Sequence, residues 1–411
     1  MHRRRVLWLS HLVPYPPQGL GALQRAYHLL HQASKYHDLY LIAFVQSQLM
    51  TQMFGDIQVG LSIARKELLE FCEKVEFVSI PSEGSRWGKG LLAFNSLFKR
   101  SPYTINWLES QEMRSLLGDW GRQVEFDTVH FDTISLAPYL ADIKAERKIL
   151  DHHNVESEMM MRRATNEPNL IKSAYFYQEG KRLRRYEQYV CPRFDVNVTC
   201  STLDSERLRA IVPSVMVTEI PNGVDIEYFN PVHYTLEQKA NSLVFAGNMT
   251  WYPNQDAMRF LLEEVWPLLK KRIPSASIDI IGANPPVDIV ARANKCKDVH
   301  IHGFVKDVRP FLAQAQVYVC PIRDGGGTKL KILDALAMGK AIIAHPIACE
   351  GISVTPGKNV MYATEPQEYV DTIQQLFEHQ GERKKQELAA RALAESEYSY
   401  ESIGRRLAEL F

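Results

Sequence analysis

VYVCPIRDGGGTKLKILDALAMGKAII, residues 317–343, carries the most information per residue in this chain. The apolar run Val317–Cys320 reads as a buried strand. Gly325, Gly326 and Gly327 follow, and a helix is expected from near Thr328 to a stop at Gly339. A glycine loop feeding a helix presents free backbone N–H groups and the positive end of the helix dipole. Without side chains, such a loop lets a phosphate come close. Lys329 and Lys331 fall in the expected first turns. Cations there are unfavourable by about 0.3–1 kcal/mol, and a bound anion turns that penalty into a gain. Asp334, three residues after Lys331, sits beside the apolar stripe of Leu330, Leu333 and Ala337. A carboxylate in that position needs hydrogen-bond donors, and a ribose offers two hydroxyls. A solvated lysine face with a Lys331–Asp334 helical pair is the plainer reading of the same residues.

The strand–loop–helix pattern recurs on both sides of this segment. Strands are expected at Val6–Ser10, Leu39–Phe44, Val75–Ile80, Phe126–Phe131, Lys148–Asp151 and Val196–Cys200. In the second half they are expected at Leu243–Ala246, Ile278–Ile281, Val299–Ile301, Val317–Cys320 and Ala341–Ala344. Amphipathic segments alternate with them; the longest is expected to be a helix from about Val155 to Tyr189. Others are read at Gln255–Lys270, Val308–Ala315 and Thr328–Met338. Alternation of this kind makes βαβ units and parallel sheets. Asn222-Gly223 and Pro231 punctuate the middle, so a boundary is placed near residue 230. The expected domains are 1–230 and 231–390, with 391–411 a terminal helix crossing back to the first. The fold class is therefore α/β, two doubly wound Rossmann-like domains facing across a cleft. Ligands bind outside the carboxyl ends of such strands.

At 411 residues the chain has room for two or three domains of roughly 150 residues. Lys+Arg and Asp+Glu are both 48, a balance that argues against a general nucleic-acid binder. Six scattered cysteines lack the spacing of a zinc knuckle or a redox motif and fit a reducing compartment. The opening MHRRRVLWLSHLVPYPP breaks at Pro14, Pro16 and Pro17, unlike a signal peptide, and no apolar run of about 20 residues exists. The cytoplasm is the expected location, with the inner face of the membrane as the alternative. RWGKGLLAFNSLFKR, residues 86–100, has basic ends and an apolar middle. It reads as a packed helix, or as one lying on an anionic membrane.

ILDHHNVES, residues 149–157, sets Asp151, His152, His153 and Asn154 at the end of a buried strand. Polar residues there face a cleft. His152 and His153, being adjacent, point to opposite faces and do not chelate one metal together. No Asp-x-Asp triplet is present. Ser201 reads as a helix N-cap. Trp251 and Asn254 open a helix, as nucleotide contacts or as an aromatic and a cap.

Several of these segments together resemble retaining glycosyltransferases of family 4, which have the GT-B fold. GGGTKLKILDALAMGKAII resembles their donor-binding segment, PNGVD (221–225) their interdomain segment, and VFAGNMTWYPNQDA (244–257) the start of their second domain. HGFVKDVRPFLAQAQVYVCPIRDGGGTK (302–329) and the terminal YSYESIGRRLAELF also match. WLSHLVPYPPQGLGALQRAYHLL and ILDHHNVES are most similar to the branch found in bacterial exopolysaccharide clusters. The resemblance implies a nucleoside diphosphate sugar as co-substrate, no metal or other cofactor, and a carbohydrate or lipid-linked acceptor. It implies that Asp334 holds the ribose where the family has a glutamate. Lys331 and Lys329 would take the diphosphate and supply catalysis, and His153 would bond the donor sugar. Gly325, Gly326, Gly327, Thr328, Asn248, Trp251 and Asn254 would line the donor site. Gly19, Gly21 and Arg25 would meet the phosphate and acceptor from the first domain. Gly326 stands where the family commonly has an acid; Asp324 is a lesser candidate for that contact. A GT-B nucleotide-sugar epimerase and an inactive GT-B partner subunit are the alternative functions.

Overall fold

The computed structural model describes residues 2–16, 21–84, 88–99, 101–234, 237–325 and 327–411. They divide into two compact units, Met1–Pro221 with Ile403–Phe411, and Asn222–Ser402. The division falls at Pro221/Asn222 rather than near 230, and only 403–411, not 391–411, goes with the first unit. Residues 391–402 stay with the second: Arg391 donates to the carbonyls of Ile226 (3.2 Å) and Phe229 (2.8 Å) there.

The first unit holds a seven-stranded sheet. Its strands are β1 (Arg5–Ser10), β2 (Asp38–Val45), β3 (Lys74–Ser79), β4 (Phe126–Phe131), β5 (Ala145–His152), β6 (Val196–Thr199) and β7 (Val217–Glu219). Their order is β3-β2-β1-β4-β5-β6-β7, and every pairing is parallel. Strands buried on both faces read as continuous apolar runs, as Leu7, Trp8 and Leu9 do in β1. The terminal segment closes the unit: Thr128 donates to the carbonyl of Phe411 (2.9 Å), whose ring meets Trp8 edge-on at 6.1 Å.

The expected long helix after β5 is two helices, Glu156–Asn166 and Leu170–Val190. Pro168 is the reason. The residue before a proline avoids the helical region, and Glu167 sits at φ −84°, ψ 117°. Asn169 then caps the second helix, its side chain accepting from the N–H groups of Ile171 (3.1 Å) and Lys172 (3.0 Å).

The second unit holds a six-stranded sheet. Its strands are β8 (Ser242–Ala246), β9 (Ser277–Ile281), β10 (Val299–Gly303), β11 (Val317–Cys320), β12 (Ala341–Ala344) and β13 (Met361–Tyr362). The order is β10-β9-β8-β11-β12-β13, again all parallel. β7 and β13, three and two residues long, are too short to leave a pattern in the sequence.

In each sheet the winding reverses once. The reversal lies between β1 and β4 in the first unit and between β8 and β11 in the second. Crevices open at such switch points, beyond the strands' carboxyl ends. The loops after β1 and β4, and after β8 and β11, are therefore where chemistry is expected.

Candidate active site

At the switch point of the second unit, β8 runs into Gly247 and Asn248, and β11 runs into the glycine loop. The helix after that loop spans Leu330–Ala337, so it opens two residues later than expected. Lys329 is its N-cap residue, at φ −85°, ψ 94°, and contributes no side-chain cap. Gly325 and Gly327 have φ of 103° and 71°, in the region open to glycine. A Cβ on Gly325 would come within 2.9 Å of the Trp251 ring, so the glycine also lets that ring lie on the loop. Gly326 lies outside the described residues.

Lys331 reaches across from the helix. Its ammonium donates to Asn254 Oδ1 and lies 5.1 Å from the Phe245 ring and 5.5 Å from that of Trp251. A Cβ on Gly247 would stand 2.5 Å from this ammonium, so only glycine there leaves it room. Asn254 is buried and donates to the Asn248 carbonyl (2.6 Å), while Asn248 Oδ1 accepts from Thr250 N (3.0 Å). Trp251, not Asn254, takes the N-cap position of the helix Tyr252–Phe260. Tyr252 donates to Asp324 (2.7 Å), which also accepts from Gly325 N (2.6 Å). Lys329 differs from Lys331: it is buried and donates inward to the Gly325 carbonyl (2.7 Å), so it fastens the loop. Thr328 Oγ1 is buried with no hydrogen-bond partner among the described residues.

Charge in this corner is poorly solvated. Burial pulls the Lys331 ammonium down to about 8, partly opposed by Asp334. Burial lifts the Asp334 carboxyl to about 7 against the pull of Lys331. Both groups are thus held half-buried with their ionised forms disfavoured, and a bound diphosphate or diol would restore those forms.

The first unit has its own cluster at its switch point. Asp132, after β4, is buried and accepts from Ser10 Oγ (3.0 Å). His153 Nε2 lies 2.9 Å from one carboxylate oxygen and His11 Nδ1 3.4 Å from the other. His152 turns the other way, to Asn197 Oδ1 at 3.0 Å, as alternation along a strand requires. Burial works against a charged His153, but Asp132 outweighs it and raises the imidazole above its ordinary value. Asp132 is itself held well below the carboxylate range, since the two histidines overcome its burial. The His153 pairing therefore stabilises the fold fully below pH about 6.5 and is lost as pH rises through the raised value. Replacing Asp132 by Asn is expected to lower the NMR titration midpoint of His153. An unmoved midpoint would remove Asp132 as the cause.

Sequence reasoning missed His11 and Asp132. Neither residue was singled out by its local sequence; the adjacency of β1, β4 and β5 brings them to His153. The donor atoms of His11, Asp132 and His153 lie within 4.8 Å of one another, a set able to hold a metal ion. His130, Asp132 and Asp151 form a second such set, fully buried.

Arg25 is buried rather than solvated. It is 1% exposed, grips both oxygens of Asp151 (2.9 and 3.1 Å) and donates to the Pro221 carbonyl (3.0 Å). An arginine in a first helical turn looks solvated in the sequence; here the partner is 126 residues away, at the end of β5. Gly21 begins the helix Gly21–Ser34, and Gly19 lies outside the described residues. Ser201 is an N-cap, accepting from Asp204 N at 3.1 Å.

Residues 240–379 match the family model described as Glycosyl transferases group 1. A protein of Klebsiella pneumoniae described as an uncharacterized 44.6 kDa protein in cps region is 21% identical over 375 residues, 88% of each chain. Among solved structures, a glycosyltransferase from Rickettsia africae superposes with a TM-score of 0.65 at 14% identity, covering 100% of this chain and 98% of that one. Sucrose-phosphate synthase from Thermosynechococcus elongatus gives 0.68 at 12% identity over 99% and 98%. Anabaena HepE, solved with UDP and glucose, gives 0.62 at 14% identity over 99% of both chains. The architecture of the chain is thus the two-domain GT-B fold, and its second-unit site, from Asn248 to Asp334, lies wholly within a segment matching the Glycosyl transferases group 1 family.

Proposed function

We propose that this chain transfers a sugar from a nucleoside diphosphate sugar to an acceptor hydroxyl, with retention, in the assembly of a cell-surface polysaccharide. The carrying observation is the half-buried Lys331 ammonium beside the loop of Gly325 and Gly327, one helical turn from Asp334. That arrangement suits a diphosphate at the loop and a ribose at the acid. The complexes of HepE with UDP, glucose and UDP-glucose lend support to a nucleotide-sugar donor. The cps-region relative lends support to the polysaccharide role.

In this reading the bond between the anomeric carbon and the diphosphate oxygen breaks, and the acceptor oxygen bonds to that carbon from the same face. The acceptor's proton passes to the departing phosphate oxygen. Charge growing on the diphosphate is met by Lys331 and the loop N–H groups, which are already in place. Lys329 acts by fastening the loop, and Asn254 orients Lys331. In the first unit, Asp132 holds His153 in place. The cation at the diphosphate is an ammonium, so the reaction proceeds without a resident metal or cofactor; full activity in excess chelator is expected, and its loss would turn attention to the His11–Asp132–His153 set.

A thermal-shift screen over nucleoside diphosphates tests the reading. Ligand at about 100 times Kd stabilises by about 2.7 kcal/mol, a readily measured rise in midpoint. No rise with any nucleoside diphosphate would reject it. Asp334→Ala is expected to weaken nucleoside diphosphate binding by about 1.5–3 kcal/mol, the loss of hydrogen bonds to a charged acceptor. Since the carboxyl titrates at about 7, wild-type affinity should also fall below that pH. Calorimetry on both proteins reads each effect.

A further inference from the structure

The first unit carries an exposed face that the reaction above does not use. Along the helix Leu170–Val190, Lys181, Arg182 and Arg185, joined by Lys99, line a groove of about 650 Å³ together with Tyr177 and Tyr189. The acids of this helix do not neutralise it. Glu179 is buried and accepts from Thr104 N (2.9 Å), and Glu187 is buried and accepts from Ser157 N (3.0 Å). Lys99 has one exposed partner, Glu109, at 3.6 Å. Lys181 lies 4.4 Å from the ring centre of Tyr177. Arg185 has no ion-pair partner among the described residues.

Beside the groove the chain shows apolar side chains to solvent. Leu91 is 61%, Phe94 59% and Phe98 78% exposed, and the two phenylalanine rings meet edge-on at 5.3 Å. Arg182 ties this segment to the groove: its guanidinium donates to the carbonyls of Ser96 (2.8 Å), Lys99 and Ser101 (2.9 Å). Aromatic surface and cationic groove are thus fixed as neighbours by one side chain. Apolar side chains this exposed, edged by cations, have the composition of a surface that meets a bilayer.

We infer that this face docks on an anionic membrane, with a lipid phosphate headgroup in the groove and Phe94 and Phe98 entering the acyl boundary. The charge pattern commits the occupant: a phosphate complements four cations, and a lipid is the phosphate carrier that also covers two phenylalanines. Each cation near such a surface contributes to binding and is screened by salt.

The test is co-sedimentation of the full chain with vesicles of phosphatidylcholine alone and of phosphatidylcholine mixed with phosphatidylglycerol. Binding is expected only to the second, with strong salt dependence. K181E/R185E and F94S/F98S should each weaken it at least tenfold while far-UV circular dichroism stays unchanged. All four side chains are exposed, so neither pair disturbs the core. Inorganic phosphate matched to the lipid phosphate should leave binding intact. Three results would overturn the inference: no binding to anionic vesicles, binding retained in both double variants, or displacement by inorganic phosphate. The last would make the groove a free-phosphate site. Nucleotide binding in the second unit is measured separately, so this inference and the proposed transfer stand or fall apart.

Discussion

Lys331→Ala is expected to lower turnover about 10²–10³-fold while leaving the fold as stable as before. The size follows from what a preorganised charge contributes opposite a developing anion, about 2.7–4 kcal/mol. The stability forecast follows from sign. The folded ammonium titrates at about 8, below its ordinary 10.5, so the charged form disfavours folding at neutral pH. That unfavourable contribution is present below about 8 and fades as pH rises towards 10.5. Alanine removes it, along with the bond to Asn254. A variant with normal turnover would reject the role, and one that fails to fold would leave Lys331 a structural residue. Saturation kinetics separate the cases further. If the ammonium acts mainly on the leaving group, kcat falls and KM for the donor changes little.

The same corner shows how far a sequence reads. Strand, glycines and helix after Val317 were legible because local rules fix them: β-branched apolar residues, then positive-φ glycines, then a stripe of period 3.6. The helix start was two residues off, since Thr328 lies outside the helix and Lys329 has extended backbone, which the pattern of Leu330, Leu333 and Ala337 cannot reveal. The opposed roles of the two lysines were also hidden. Their spacing suggested a pair on one anion, whereas Lys329 bonds its own loop and Lys331 crosses to a residue 77 positions earlier. In the first unit the polar run Asp151–Asn154 stood out at a strand end, and the family resemblance alone singled out His153. Asp132 was not legible, because the feature that singles it out is parallel pairing of β4 with β5 and with β1, the latter a contact over more than a hundred residues. Pro168 is the local signal that divides the long helix in two.

Arg25→Ala is expected to destabilise the first unit by about 3–5 kcal/mol, the usual consequence of leaving one member of a buried ion pair alone. Asp151 is 0% exposed, and after Arg25 its nearest basic group is His130, 3.9 Å away. That histidine cannot take over the charge. Burial against the Trp8 ring, 3.9 Å away, holds it neutral, with a value of about 4. At roughly 2–4 °C per kcal/mol for a unit of this size, the midpoint should fall by about 6–20 °C. The bond from Arg25 to the Pro221 carbonyl would be lost as well, freeing the last residue of the first stretch of the unit. An arginine that met a substrate phosphate would behave otherwise: its loss would raise KM and spare stability. The double variant Arg25→Met, Asp151→Leu discriminates again, since apolar residues of similar volume often replace a buried pair with little loss. Recovery of the midpoint in the double variant, measured beside the single one by calorimetric or denaturant unfolding, is the expected result. A single variant that melts with wild type would return Arg25 to the list of ligand contacts.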